Sequence, residues 1–262
     1  MKAIISHDID HITVSEHLFR DTIIPKYLAR MHIELMKGKI SLREYTLRWS
    51  DLFKNKWQNI DELITFNNIY NIPSSFFIGV NKGLGLSYDN PTALVWIEQM
   101  KNRHCEIGLH GIAFDDLVAI KKEHDLFASM TGTDSFGIRM HYVRNNESTF
   151  EMLNQSGYRY DSTVHEFRDP YRIGSMWEFP FQIMDGWVIE NYKSWQSLNL
   201  SQAKENTIRL IDKALQSNLN YLGIDFHDRG NKPQVHGHGL LHGQQVNGQL
   251  VNRALRHVNA LF

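Results

Sequence analysis

A single cysteine, Cys105, is all the thiol this chain carries, which excludes an intrachain disulfide and any zinc site built on several thiolates. Cationic runs are equally scarce: no stretch of Lys or Arg exceeds two residues, and the formal charge is −1 with a pI near 6.9. Such a pattern offers no electrostatic footprint for nucleic acid or an anionic lipid surface. No apolar stretch approaches the roughly 20 residues that cross a bilayer, so no membrane span is expected. The opening residues lack the basic, apolar and cleavage-site succession of a secretory leader, and the expectation is a cytoplasmic protein. Oligomeric state leaves no mark on the sequence.

What is present is enough apolar material for a large core: 42% of 262 residues are hydrophobic, and the length suits one domain. Fourteen His and six Trp hint at a metal or carbohydrate site, although both residues also fill ordinary cores. Seven apolar or β-branched runs read as strands, at 3–7, 74–80, 105–110, 136–142, 158–163, 178–184 and 221–227. Helical spacing falls between them, as at 115–131 and at 201–217, where Thr207, Leu210, Ile211, Ala214 and Leu215 share a face behind Ser201 as a cap. Strands alternating with helices argue for a parallel α/β sheet, and six or seven such units favour closure into a barrel. Residues 14–65 read as a mostly helical insertion after the first strand, flanking the mouth of the site.

In a parallel barrel the βα loops converge at the C-terminal ends of the strands, so those ends are where ligands bind. Asp8 and Asp10 end the first strand on one face, a geometry that suits a base beside a metal ligand as well as an acidic exit capping the next helix. His110 ends the third strand, Arg139 and His141 the fourth, Asp161 the fifth, and His227 with Asp228 the seventh. Each has a plainer reading: Arg139 as partner of any inward carboxylate, His141 as a satisfied core histidine, Asp161 as a cap. Five strand ends contributing to one polar cluster are hard to explain as packing, because burying unpaired ionisable groups costs several kcal/mol each. His7 and His11 read as capping or supporting groups, and Trp177, Trp187 and Trp195 as core residues with the option of stacking on a sugar.

Five motifs in order carry a resemblance: Ser6-His7-Asp8-Ile9-Asp10, Glu106-Ile107-Gly108-Leu109-His110-Gly111, Gly137-Ile138-Arg139-Met140-His141-Tyr142, Gly157-Tyr158-Arg159-Tyr160-Asp161-Ser162-Thr163 and Gly223-Ile224-Asp225-Phe226-His227-Asp228-Arg229. With the run Phe179-Pro180-Phe181-Gln182-Ile183-Met184-Asp185, the chain resembles the polysaccharide deacetylase superfamily, in its surface-polysaccharide biosynthesis branch, over residues 3–230. The resemblance implies one distorted (β/α)7 barrel over residues 1–230. It implies hydrolysis of a carbon–nitrogen bond other than a peptide bond, removing acetate from an N-acetylated sugar or oligosaccharide with a divalent metal, zinc being the expected ion. In that scheme Asp8 is the base, Asp10 and His110 hold the metal, and Arg139 orients Asp8. His227 is the acid, Asp161 fixes its tautomer, and His141 and Asp228 face substrate.

Two departures keep alternatives open. Metal-binding members carry a second His four residues after the first, where this chain has Phe114. Three protein ligands are usual at a catalytic zinc, so Asp115, Asp116, His11 or His141 must complete the set, or the metal is absent. Metal-free relatives acting on cyclic ureides and imides also have an aromatic residue there, and they share the Asp-x-Asp spacing. A metal-free, allantoinase-like cyclic amide hydrolase is therefore the rival reading, and a non-catalytic carbohydrate-binding barrel is the third. Beyond residue 230 the resemblance stops. Residues 231–262 crowd Gly, His, Gln and Asn together, with His236, His238 and His242 spaced to capture a stray metal, and they read as an atypical polar tail, disordered by composition.

Overall fold

The fold is described by a computed structural model for residues 1–18, 21–38, 40–188 and 200–227. β1 (Lys2–Ile9) leads into three helices, α1 (Ile23–Met36), α2 (Leu42–Phe53) and α3 (Ile60–Ile69). Then follow β2 (Ser74–Ile78), α4 (Asn90–Asn102), β3 (Glu106–Gly111), α5 (Leu117–Thr131), β4 (Gly137–Met140), α6 (Thr149–Ser156) and β5 (Tyr160–Asp161). A short-strand region, β6 (Tyr171–Ile173), β7 (Met176–Glu178) and β8 (Ile183–Met184), passes into α7 (Asp185–Val188), and α8 (Leu200–Gln216) precedes β9 (Tyr221–His227).

All nine strands form one curled sheet in the order β6-β7-β5-β4-β3-β2-β1-β9-β8. Every neighbouring pair is parallel except the β6–β7 hairpin. The apolar run expected as one strand at 178–184 is divided. It pairs with β5 through β7 and with β9 through β8, and between them sits Pro180, which has no N–H to give a ladder. Phe179 and Phe181 still donate to the carbonyls of Asp161 and Val164, at 2.8 and 3.0 Å, so the segment bridges the two flanks of the sheet. The β6 strand was not visible in the sequence pattern; it exists because Gly174, at φ +59°, turns the chain tightly back onto β7.

Local chemistry explains the helix ends. Asp89 caps α4 through the Thr92 N–H at 3.0 Å, and Asp116 caps α5 through those of Val118 and Ala119. Left-handed glycines, Gly132 and Gly157, close α5 and α6. The larger apolar core, including Ile9, Phe76, Ile78, Leu109, Phe127 and Ile138, lies beneath α4 and α5, and a second cluster packs Ile5, Ile183, Leu222 and Ile224 against α8. Between β1 and β2, α1 and α2 are tied by a buried Arg48, which bonds Glu34 at 2.6 Å and Glu44 at 3.2 Å. Among the described residues, no helix is long and apolar enough to cross a membrane.

Candidate active site

Strand register assembles the site. β1 lies between β2 and β9, which sets Ser6 beside Asp225 and Asp8 beside His227, while β3 against β4 sets His110 beside Arg139. Alternation along β1 turns Ser6 and Asp8 to one face and His7 to the other. There the His7 ring packs on Phe76 and accepts a hydrogen bond from Asn67 Nδ2 at 2.9 Å.

Arg139 is the buried hub. Its guanidinium donates to the Ser162 carbonyl at 2.8 Å, Ser162 Oγ at 2.7 Å, Ser6 Oγ at 2.7 Å and Asp8 Oδ1 at 3.1 Å, and also to Asp225 Oδ1. The carbon of the guanidinium lies over the rings of Phe77 and Phe181, 4.7 and 5.2 Å from their centroids. One cation thus serves two carboxylates. Burial works to raise the Asp8 pKa, but the charge of Arg139, then those of His110 and His227, outweighs it and holds Asp8 below its ordinary value. Asp225 is pushed up to about 7 by burial, which the Arg139 charge opposes and the Asp8 charge reinforces.

Beside Asp8, three acceptors converge. His110 Nδ1 meets the Arg139 carbonyl at 3.1 Å and His141 Nε2 meets the Leu84 carbonyl at 3.1 Å. A carbonyl can only accept, so those two nitrogens carry the hydrogens, and the opposite nitrogen of each ring presents a lone pair whenever the ring is neutral. Those lone-pair atoms, His110 Nε2 and His141 Nδ1, stand 2.9 Å apart and lie 3.2 and 3.3 Å from Asp10 Oδ1. Asp10 Oδ1 is itself buried without a hydrogen-bond donor. A bound cation would satisfy all three atoms at once, and two imidazoles with one carboxylate are a donor set that suits zinc-class ions. The backbone carbonyls behind the two rings fix their tautomers as supporting groups do at metal sites. His141 leaves β4 through strained backbone: Tyr142 and Val143 have φ of +57° and +49°, and Leu84, whose carbonyl holds the ring, has φ of +54°. Left-handed non-glycine residues cost of order 1–3 kcal/mol each, so this placement is maintained against strain.

His227 stands at the edge of this cluster, with Nε2 3.8 Å from Asp10 Oδ2. Its Nδ1 bonds Asp185 Oδ1 at 2.7 Å, and its backbone N–H donates to Asp185 Oδ2 at 3.0 Å. Burial would lower the pKa of His227, but the Asp185 carboxylate, followed by Asp10 and Asp225, raises it well above the ordinary value.

The expected partner of His227, Asp161, is elsewhere. It accepts from Thr163 Oγ1 at 2.6 Å and faces Glu178 across the β5–β7 pair. The correction has a topological reason. β5 and β9 are separated by four strands in the sheet order, whereas Asp185 directly follows β8, the neighbour of β9. In the sequence Asp185 closes the run Phe179-Pro180-Phe181-Gln182-Ile183-Met184-Asp185, and Asp225 is the inward residue two before His227, which is the signal that points to each. Of the candidate third ligands, His141 joins Asp10 and His110, whereas His11 groups with Glu16 and His17. Asp116 is spent on capping α5 and Asp115 is exposed. Phe114 packs against the core under the Arg144 guanidinium, 4.1 Å away. Trp187 packs on His165 and Phe181, and Trp177 under Arg172. Asp228, Trp195, His236, His238, His242 and the tail at 231–262 lie outside the described residues.

No protein-family model matches the chain, and no curated protein matches it in sequence. Solved structures do match in shape. A Mycobacterium smegmatis protein described as a candidate polysaccharide deacetylase superposes with a TM-score of 0.62 at 14% identity, covering 99% of this chain and 90% of its own. A Pseudomonas aeruginosa protein described as a probable polysaccharide deacetylase gives 0.51 at 16% identity, over 72% of this chain and 66% of its own. At these identities the likeness is one of fold, and the fold is the one these polysaccharide deacetylases share.

Proposed function

We propose that the chain is a carbon–nitrogen hydrolase that removes acetate from an N-acetylated sugar, working on one domain spanning residues 1–230. In this reading β1 to β5, the interrupted β7–β8 segment and β9 make the seven staves of a distorted (β/α)7 barrel, and α1 to α3 are an insertion beside its mouth. The observation that carries it is the adjacency of Asp8 and His227 across the β1–β9 pair, on the rim of the three-acceptor cluster. A carboxylate held ionised and an imidazole held protonated, side by side, form an acid–base pair with opposite assignments.

Asp10, His110 and His141 would hold a divalent ion. Such an ion, when bound, lowers the pKa of water and polarises the amide oxygen. Asp8 takes the proton of the attacking water, on the carboxylate that Arg139 anchors through Oδ1. His227 gives its Nε2 proton to the amide nitrogen as the carbon–nitrogen bond breaks, leaving acetate and a free amine. Asp185 keeps the other ring nitrogen protonated and so points Nε2 at the leaving group. The names of the structural neighbours support an acetylated polysaccharide or its precursor as substrate. Because His141, just past β4, would supply a third ligand, Phe114 does not favour the metal-free reading.

Acetate release from N-acetylated hexosamine oligomers tests the proposal. Asp8→Asn should lose at least about 10²-fold in kcat while staying folded. Acetate release by Asp8→Asn at the parent rate, or hydrolysis of ring amides with no release from any N-acetylated sugar, would overturn it.

A further inference from the structure

A second constellation lies just beyond the first strand and has no part in the chemistry above: His11, Glu16 and His17, whose donor atoms all lie within 4.8 Å of one another. His17 is fully buried at its side chain, and its Nδ1 bonds Asp21 Oδ2 at 2.7 Å. Asp21 is itself fixed, accepting from Ser87 Oγ at 2.9 Å and from the Ile23 N–H at 2.9 Å. A carboxylate that orders one imidazole nitrogen leaves the other as a ligand, the arrangement found behind metal-bound histidines. That other nitrogen, Nε2, is buried and makes no hydrogen bond, although Glu16 Oε1 stands only 3.1 Å away.

Glu16 is held rigidly. The Ile12 N–H donates to Oε1 at 2.9 Å, and the Thr13 N–H and Oγ1 donate to Oε2 at 2.7 and 3.1 Å. Oε1 keeps one acceptor site. Ligand atoms around a tetrahedral zinc ion, bonded at about 2.0–2.2 Å, are separated by roughly 3.4 Å. The His17–Glu16 edge, at 3.1 Å, is somewhat shorter than that and would open slightly, and the separations left to close are those of His11, whose ring meets His17 edge-on at 4.7 Å. Trp57 packs on the rings of both His11 and His17, with Tyr27 packed on Trp57 behind it.

We propose that His11, Glu16 and His17 form a second metal site, separate from Asp10, His110 and His141, which takes a borderline divalent cation such as zinc and pins the segment leaving β1 to the start of α1. The test uses the full-length chain stripped of metal, with His236→Ala, His238→Ala and His242→Ala so that the tail does not contribute, titrated with Zn²⁺ and with Co²⁺ alone. Two equivalents should bind. Removing the first centre by His110→Ala with His141→Ala should leave one equivalent, with the visible absorption of low-coordinate Co²⁺, and adding His17→Gln should abolish it. Should that double variant misfold by circular dichroism, His11→Ala alone decides, lowering two equivalents to one. A folded first-centre variant that binds no cation, or an equivalent that survives both His11→Ala and His17→Gln, overturns the proposal. Because the readout is stoichiometry with the first centre removed, its failure is distinguishable from a failure of the deacetylase reading.

Discussion

The facing ring nitrogens of His110 and His141 stand 2.9 Å apart, one at the end of β3 and the other just past β4. The adjacent strand thus offers the imidazole that the residue four positions after His110 does not. We expect His141→Ala to lose tight zinc at this centre, with affinity falling about 10²-fold or more, as does His110→Ala. Isothermal titration of each folded, chelator-stripped variant is the check. Unchanged zinc affinity in His141→Ala would remove this residue from the ligand set.

His227 owes both its orientation and its raised pKa first to Asp185, which bonds its Nδ1 at 2.7 Å. Asp185→Asn should leave KM nearly unchanged and reduce kcat on the order of 10²-fold or more, since the amide no longer stabilises the imidazolium. The limb of the pH profile that reports the acid should move toward lower pH, because the protonated form has lost its anion. A kcat within threefold of the parent would show that another group protonates the amine.

The parts of this centre that were legible in the sequence were the strand ends, because a parallel sheet forces its polar exits together and alternation shows which residues point inward. Asp8, Asp10, His110, Arg139 and His227 are gathered for that reason. Partner assignments were less legible, since they depend on the order of strands across the sheet. Asp161 and Asp185 both follow or end short strands, and only the position of β8 beside β9 decides which one meets His227. Likewise, nothing in the local pattern shows that Leu84 and Tyr142 take left-handed backbone to bring His141 onto Asp10.

Asp161 and Glu178 face each other across β5 and β7, both fully buried. Burial raises the pKa of Glu178 well above the carboxylate range, and the Asp161 charge adds to it. Glu178 is thus the protonated member, its proton shared toward Asp161, while its Oε1 accepts the Val164 N–H at 3.0 Å. An amide reproduces both roles, so Glu178→Gln should change stability by less than about 1 kcal/mol. Glu178→Ala removes the donor and leaves a buried carboxylate short of partners, costing about 2–3 kcal/mol. Urea denaturation at neutral pH compares the two. A Gln variant as damaged as the Ala variant would show that Glu178 is ionised.

His7 sets a pH limit on the fold itself. Buried against Phe76, with Asn67 Nδ2 donating to its Nε2, it has its pKa lowered from 6.5 to about 4, chiefly by burial. The native state therefore resists a proton that the unfolded chain accepts below pH 6.5. Stability from this group is complete above 6.5 and is lost as pH falls toward 4, a total of about 3 kcal/mol at 1.36 kcal/mol per pKa unit. Unfolding free energies measured by denaturant at intervals from pH 7.5 to 4 should show that loss on top of the contributions of other groups. His7→Leu should start lower at neutral pH, because Asn67 loses an acceptor, but should fall less steeply, so that the two curves converge by pH 4. Parallel curves would mean that His7 takes its proton in the folded state as readily as in the unfolded chain.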